Sequence, residues 1–282
     1  MGKTALVTGG THDEVVGMGT LALNIKEIVP NLADELIIFH DGISKKDQEI
    51  INNIFPTRFC KYDFPISFLD KRRNSAIRYF SPMVFCKYEC FRLLEEYDRI
   101  IWSDYDVVIL KDLTELMEND AGLQIVEERE PLKTRFQDMG QCVEKEYDIE
   151  RHGVSTPIFV LTRDVGDYRM FYHWCIENTR KYIPYIQLPE QCIFSMLVQR
   201  FGIEYVSLPD AKYALHPRYY EEDALIIHAY GRPKFWEGLS DENWNRYYQQ
   251  WLALGGSPYK LSLKKRINKL LAEGKNKMAA KK

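Results

Sequence analysis

Long hydrophobic runs are absent from this sequence of 282 residues. No stretch approaches the roughly 20 apolar residues of a membrane-spanning helix, and residues 1–10 lack the apolar core of a signal peptide. We therefore expect a cytoplasmic protein. Hydrophobic residues nevertheless make up 45% of the chain, which is enough to bury a substantial core and excludes a disordered protein.

Cysteine patterns typical of metal sites are also missing. The six cysteines form no Cys-x-x-Cys pair, and no histidine lies at zinc-finger spacing from them. Their positions are 60, 86, 90, 142, 175 and 192. The sequence therefore predicts reduced, mostly buried thiols and excludes a structural zinc site of the common kinds.

Positive charge is concentrated in the last residues of the chain. The whole sequence has 38 basic and 41 acidic side chains, a net charge of −3. The segment from Lys260 to the last residue contains nine basic residues and one acidic residue, Glu273, so its net charge is +8. The preceding residues have a net charge of −11. We predict one domain over residues 1–259 and a basic tail over 260–282, with an amphipathic helix followed by a disordered end.

The tail has two interpretations that the sequence supports equally. Its leucines and lysines can form an interfacial helix that holds the protein peripherally at the inner face of a membrane. They can equally form a solvated helix whose leucines pack on the domain. We expect no nucleic-acid partner.

Strand and helix signals alternate along the chain. Residues 4–8 and Glu35–His40 are apolar strand-like segments, and residues 21–28 between them have helical spacing. Further strand signals lie at 100–102, 107–110, 123–126, 158–161, 204–208 and 225–227, and helical spacing recurs at 81–97, 169–179 and 190–199. This order predicts an α/β protein with a central sheet and helices on both faces. Residues 127–153 are long, polar and charged, which predicts a functional loop or lid.

Asp104-Tyr105-Asp106 is the one Asp-x-Asp motif of the sequence, and it follows the apolar segment 100–102. Alternate residues of an extended chain point the same way, so both carboxylates can bind one hard cation that also binds a diphosphate. A solvated acidic turn explains the tripeptide equally well when it is considered alone.

A second segment, residues 226–236, combines a strand with a glycine-proline turn. His228 can add an imidazole ligand, Gly231 lets the backbone approach a phosphate, and Lys234 supplies a positive charge. A lone histidine of this kind is usually structural. Together with the Asp-x-Asp motif, however, it favours a metal and diphosphate site.

These two segments resemble the signatures of glycosyltransferase family 8. Residues 102–109 with 112–116 look like its metal-binding signature, and the second segment is similar to its His-x-x-Gly-x-x-Lys-Pro-Trp motif at His228, Gly231, Lys234 and Trp236. The resemblance implies a GT-A-type, Rossmann-like fold with a mixed central sheet. It also implies a retaining enzyme that moves a hexose, glucose or galactose, from a UDP-sugar to a glycan, glycolipid or protein acceptor.

The resemblance also implies roles for individual residues. Mn²⁺ or Mg²⁺ would bind Asp104, Asp106 and His228. Lys87, which lies seventeen positions before Asp104, and the pair Glu190-Gln191, where the family has Asp-Gln, would orient the sugar as catalytic residues. The residues expected to contact the donor are Thr8, Gly9, Asp104, Tyr105, Gly231 and Lys234.

Two segments depart from the family pattern. Residues 9–14 lack the acidic and aromatic residues that hold uridine in relatives, which leaves the identity of the base open. Ser155-Thr156-Pro157 replaces the family's Asn-Ala-Gly or Asn-Ser-Gly and removes an amide that contacts sugar hydroxyls. This second departure motivates an alternative function, a non-catalytic relative that binds a nucleotide-sugar or glycan.

An NAD(P)-binding oxidoreductase is the remaining alternative, because Thr8-Gly9-Gly10 is followed by Gly17 and Gly19. The spacing argues against it. A Thr-Gly-x-x-x-Gly-x-Gly loop that starts at Thr8 requires glycine at Asp13 and Val15. A helical Tyr230/Lys234 pair is incompatible with the proline between them. An absence of nicotinamide binding in a fluorescence titration would exclude this alternative.

Overall fold

The computed structural model of the chain describes residues 2–64, 80–136, 143, 146–219 and 221–260. Seven strands of this part form one mixed sheet in the order β3-β2-β1-β4-β7-β6-β8, and β5 pairs with β9 in a small second sheet. The strands are β1 (Thr4–Gly10), β2 (Glu35–His40), β3 (Thr57–Lys61), β4 (Arg99–Ser103), β5 (Val107–Ile109), β6 (Leu123–Pro131), β7 (His152–Thr162), β8 (Val206–Leu208) and β9 (Ile226–His228).

Helices connect the strands. They are α1 (Val15–Ile28), α2 (Lys45–Ile54), α3 (Glu89–Leu93), α4 (Glu115–Glu118), α5 (Tyr168–Tyr182), α6 (Pro189–Phe201), α7 (Asp210–Tyr213) and α8 (Glu242–Ala253). Strands β1, β2, β3 and β4 run parallel, as β-α-β connections require, whereas β7 is antiparallel to both β4 and β6.

Both faces of the sheet are buried. Along β1, Ala5 and Val7 belong to the core that α3, α5 and α6 cover, while Leu6 points to the opposite core beneath α1, α2 and α8. This alternation follows from the two-residue repeat of a strand. The predicted central sheet with helices on both faces is therefore confirmed.

The small sheet packs against α1. The buried Asn24 donates from Nδ2 to the carbonyl oxygen of Ile109 at 2.9 Å, and its Oδ1 accepts from the Ile109 backbone N–H at 2.7 Å. One side chain thus satisfies both backbone groups of Ile109. Since β5 follows the Asp-x-Asp motif directly, this contact also fixes the position of Asp106.

Two predicted elements differ from the structure. The expected helix over 81–97 is a 3-10 helix, Pro82–Tyr88, followed by the short α3, because three-residue apolar spacing fits a 3-10 helix as well as an α-helix. The prediction of a loop over 127–153 is wrong at both ends, because β6 extends to Pro131 and β7 begins at His152. The polar residues there belong to the half-exposed end of the sheet.

The predicted free thiols are confirmed at five positions. Cys86, Cys90, Cys175 and Cys192 are buried, and Cys60 is partly buried. Cys142 and the tail residues 261–282, with their predicted amphipathic helix, lie outside the described residues. Among the residues that are described, none forms a helix with the length and apolar character needed to cross a membrane.

Replacing Gly19 with Val is expected to destabilise the fold. A Cβ at Gly19 would lie 2.4 Å from the ring of Trp251, which has no exposed surface where α8 crosses α1. Overpacking of this kind costs about 1–3 kcal/mol. Urea denaturation measures the free energy of unfolding. Lys26→Val on the exposed face of the same helix is the control, and equal midpoints for the two variants would contradict this packing.

Candidate active site

Three metal-ligand side chains meet at the carboxyl end of β4. Asp104 follows β4 directly, Asp106 precedes β5, and His228 ends β9. The antiparallel register pairs Val107 with His228, which places the imidazole beside Asp106. His228 Nε2 lies 3.2 Å from Asp106 Oδ1 and 3.6 Å from Asp104 Oδ2. One ligand atom from each residue lies within 4.8 Å of the other two.

This cluster fits a divalent cation. Two carboxylates and one imidazole are a donor set that suits Mn²⁺ and, with more oxygen ligands from water or phosphate, Mg²⁺. Asp106 is 6% exposed and His228 is 9% exposed. Because buried carboxylates require a nearby positive charge, the cluster also explains why lysines approach it from two sides.

Lys234 approaches from the turn that follows β9. Its ammonium forms an ion pair with Asp106 Oδ2 and donates to the Ala229 carbonyl oxygen at 2.9 Å. Burial alone would raise the pKa of the Asp106 carboxyl. The charge of Lys234, together with the hydrogen bonds from Lys234 and His228, outweighs burial and holds this pKa well below its usual range. Asp106 is therefore ionised and available as a metal ligand at neutral pH.

Lys87 approaches from the opposite side, on the 3-10 helix Pro82–Tyr88. Its buried ammonium lies 3.0 Å from Asp104 Oδ1 and 3.1 Å from Glu190 Oε1, and it donates to the Thr156 carbonyl oxygen at 3.0 Å. Burial lowers the pKa of Lys87, but the two carboxylates outweigh it and raise this pKa above its usual value. Lys87 thus stays charged and joins the Asp-x-Asp motif to the first turn of α6.

Gln191 lies beside Glu190 on α6. Its Nε2 donates to the Ser155 hydroxyl at 3.3 Å. Its Oε1 is buried and accepts no hydrogen bond from the residues that the structure describes. A buried acceptor without a donor carries a free-energy cost, which a hydroxyl or amide of a ligand would remove. The amide is therefore suited to bind a polar group of a substrate.

The segment Ser155-Thr156-Pro157 has a role that the sequence did not reveal. Thr156 donates from its hydroxyl to Glu190 Oε1 at 3.1 Å, and the Pro157 carbonyl oxygen accepts from the Asp104 backbone N–H at 2.8 Å. The segment that departs from the family pattern therefore orients Asp104, Glu190 and Gln191. Trp102 also orients Asp104, a role that the sequence did not reveal. Its indole N–H donates to Asp104 Oδ1 at 2.9 Å.

The other predicted donor-contacting residues differ in accessibility. Gly231 is exposed with φ +72°, a conformation that favours glycine, and Gly9 is partly exposed at the end of β1. The Tyr105 ring stacks on Trp236 at 5.9 Å, and its hydroxyl donates to Glu14 at 2.6 Å. Thr8 is fully buried, so its side chain offers no surface to a donor and its position does not support the predicted contact.

Comparisons with known proteins add to this geometry. The sequence profile of "Glycosyl transferase family 8" matches residues 6–240. No curated protein matches the chain significantly in sequence.

The chain is similar to several solved structures. The bifunctional glycosyltransferase WbbM, in its apo form, superposes with a TM-score of 0.66 at 13% identity, over 90% of this chain and 51% of WbbM. This chain therefore spans about half the length of WbbM. The galactosyltransferase LgtC, solved with donor and acceptor sugar analogues, superposes with a TM-score of 0.62 at 15% identity, over 93% of this chain and 99% of LgtC.

A third structure, the glycosyltransferase GlyE of Streptococcus pneumoniae TIGR4, superposes with a TM-score of 0.54 at 17% identity, over 92% of this chain and 66% of GlyE. At these identities the likeness shows the fold. The fold is that of GT-A-type glycosyltransferases, as the resemblance implied.

Proposed function

Since the chain belongs to glycosyl transferase family 8, it is a glycosyltransferase, and we propose that it is a metal-dependent, retaining hexosyltransferase. The proposed donor is UDP-glucose or UDP-galactose, and the proposed acceptor is a glycan or a lipid-linked sugar. The observation that carries this proposal is the convergence of Asp104, Asp106 and His228 with Lys234 at the carboxyl end of β4. This is the end of an open α/β sheet where ligands usually bind.

The donor diphosphate is proposed to lie between the cluster and the turn at Gly231. A divalent cation held by Asp104, Asp106 and His228 would supply Lewis-acid stabilisation of the diphosphate leaving group. Lys234, whose ammonium already lies at Asp106, adds a second positive charge for the developing phosphate. Exposed Gly231 has no side chain that would keep the phosphate oxygens from the backbone.

The sugar is proposed to lie against α6. Lys87 holds Glu190 in place, and the buried Oε1 of Gln191 is positioned to accept a hydrogen bond from a sugar hydroxyl. The Glu190 carboxylate is poorly placed to act as a nucleophile, because it is paired with Lys87 and Thr156. We therefore propose front-face attack, in which the departing phosphate guides the acceptor hydroxyl and the anomeric configuration is retained.

Donor turnover in the presence and absence of metal tests this proposal. We expect the purified full chain to release UDP from UDP-glucose or UDP-galactose with Mn²⁺, to lose this activity in EDTA and to regain it when Mn²⁺ is restored. Mass spectrometry of reactions with a panel of UDP-sugars identifies the sugar. Turnover that continues unchanged in EDTA would contradict metal dependence.

A non-catalytic nucleotide-sugar binder is the second candidate, because Ser155-Thr156-Pro157 replaces the family sequence. The contacts of Thr156 and Pro157 with Glu190 and Asp104 favour an intact active site instead. The two functions differ in one result. An enzyme hydrolyses the donor slowly without an acceptor and loses this hydrolysis in Asp106→Ala, whereas a binder shows none in either protein.

A further inference from the structure

The two carboxylate oxygens of Asp104 have different surroundings. Oδ1 accepts a hydrogen bond from the indole N–H of Trp102 at 2.9 Å and lies 3.0 Å from the Lys87 ammonium. Oδ2 faces the metal-ligand cluster, where it lies 3.6 Å from His228 Nε2. Because Oδ1 already has two donors, Oδ2 is the oxygen that Asp104 can offer to a cation.

The indole that contacts Oδ1 is held in place by its packing on β4. Trp102 is 1% exposed, and its ring stacks on Phe159 with the centroids 6.1 Å apart and an angle of 10° between the planes. The Asp104 backbone is also fixed, since its N–H donates to the Pro157 carbonyl oxygen at 2.8 Å. A residue that hydrogen-bonds to a metal ligand without contacting the metal sets the orientation of that ligand and the affinity of the site. Trp102 meets this description.

The number of oxygens that Asp104 offers affects which cation the site prefers. Ca²⁺ takes about six to eight oxygen ligands and often binds both oxygens of one carboxylate. Mg²⁺ and Mn²⁺ favour octahedral coordination, in which a carboxylate that gives one oxygen leaves room for water and phosphate. An Asp104 side chain that is limited to Oδ2 therefore suits Mg²⁺ or Mn²⁺ better than Ca²⁺.

We propose that Trp102 is a positioning residue: by holding Oδ1 of Asp104, it leaves only Oδ2 for the cation and makes the site prefer Mn²⁺ or Mg²⁺ to Ca²⁺. The inference rests on the metal site of the proposed function and adds its selectivity. Lys87 also contacts Oδ1, but its ammonium is shared with Glu190 and with the Thr156 carbonyl oxygen. The Trp102 N–H, in contrast, donates only to Asp104 among the residues that the structure describes.

The affinities of the full chain for Mn²⁺ and Ca²⁺ without donor test this inference. Electron paramagnetic resonance measures free Mn²⁺ during a titration, and competition with Ca²⁺ gives the second affinity. Trp102→Phe keeps an aromatic ring and removes the N–H. We expect this variant to bind Mn²⁺ about tenfold more weakly than the wild type, since a partner of a metal ligand is lost. Its Ca²⁺ affinity should change much less, because the released Oδ1 can become a second ligand of Ca²⁺.

Trp244→Phe is the matched control. Trp244 is 2% exposed and stacks on Phe235 with the centroids 5.6 Å apart, so the surroundings of its ring resemble those of Trp102. Its buried indole N–H, however, has no hydrogen-bond partner among the described residues. The loss of ring volume in the core is therefore common to both variants, and we expect only Trp102→Phe to lose its preference for Mn²⁺.

Two results would overturn the role of Trp102. One is an equal ratio of Mn²⁺ to Ca²⁺ affinity in Trp102→Phe and Trp244→Phe. The other is a crystal structure of the wild type with Mn²⁺ in which both Asp104 oxygens contact the ion. The crystal structure needs no variant, so it tests the inference even if Trp102→Phe does not fold.

Donor turnover separates this inference from the proposed function. Mn²⁺-dependent release of UDP together with an unchanged affinity ratio in Trp102→Phe contradicts the role of Trp102 alone. A wild-type chain that binds no Mn²⁺, with or without UDP, contradicts the metal site of the proposed function and this inference with it.

Discussion

Asp106→Asn is expected to lower UDP-sugar turnover by about 100-fold or more. Asn keeps the size of the side chain but removes the charge that Lys234 and His228 stabilise. Because the pKa of Asp106 is held well below its usual range, the wild-type carboxylate is ionised throughout the neutral range, and the variant loses a full charge at every assay pH. Steady-state assays with saturating Mn²⁺ measure the change.

The control for this variant is Asp223→Asn, which makes the same substitution at an exposed position. It is expected to keep wild-type turnover. Circular dichroism and thermal melting show whether Asp106→Asn remains folded, since the substitution also removes the negative charge that pairs with the partly buried Lys234. A folded Asp106→Asn variant with wild-type turnover in Mn²⁺ would refute the assignment of Asp106 as a metal ligand.

Lys234→Ala is expected to lower kcat by about 100-fold and to change KM much less. A positive charge beside the departing phosphate is worth most when negative charge has developed there, so its loss acts mainly on the transition state. The ion pair between Lys234 and Asp106 places this charge at the metal site. Initial rates over a range of UDP-sugar concentrations give both constants.

Lys61→Ala is the matched control for Lys234→Ala, because Lys61 is exposed at the end of β3. We expect its kcat and KM to equal those of the wild type. A Lys234→Ala variant in which only KM rises would show that Lys234 contributes uniform binding of the donor, and its proposed role in the transition state would be wrong.

Asp104, Asp106 and His228 could be predicted as site residues because each adjoins a short apolar segment that the sequence marks as a strand. Asp104 follows β4 of the large sheet, whereas Asp106 and His228 belong to the small sheet of β5 and β9. The antiparallel pairing of β5 with β9, which sets His228 beside Asp106, has no signature in either segment and required the structure. Asn24, which is distant in sequence, makes hydrogen bonds to the backbone of Ile109 in β5.

The contacts of Thr156 and Trp102 could not be predicted. Thr156 meets Lys87 across 69 positions of sequence, and a buried polar contact between distant segments leaves no periodic pattern. The sequence therefore marked Ser155-Thr156-Pro157 only as a departure from the family. The burial of Thr8 was also missed, because β1 is covered on both faces up to Thr8.

We propose that this glycosyltransferase uses a divalent cation to cleave a UDP-hexose with retention. Proton NMR of UDP-glucose and UDP-galactose incubated with the full chain and Mn²⁺ tests this mechanism, because one spectrum reports both donor cleavage and the anomer of the released hexose. We predict that the α-anomer appears first and that EDTA stops the reaction. First release of the β-anomer would exclude retention, and cleavage that continues in EDTA would exclude metal dependence.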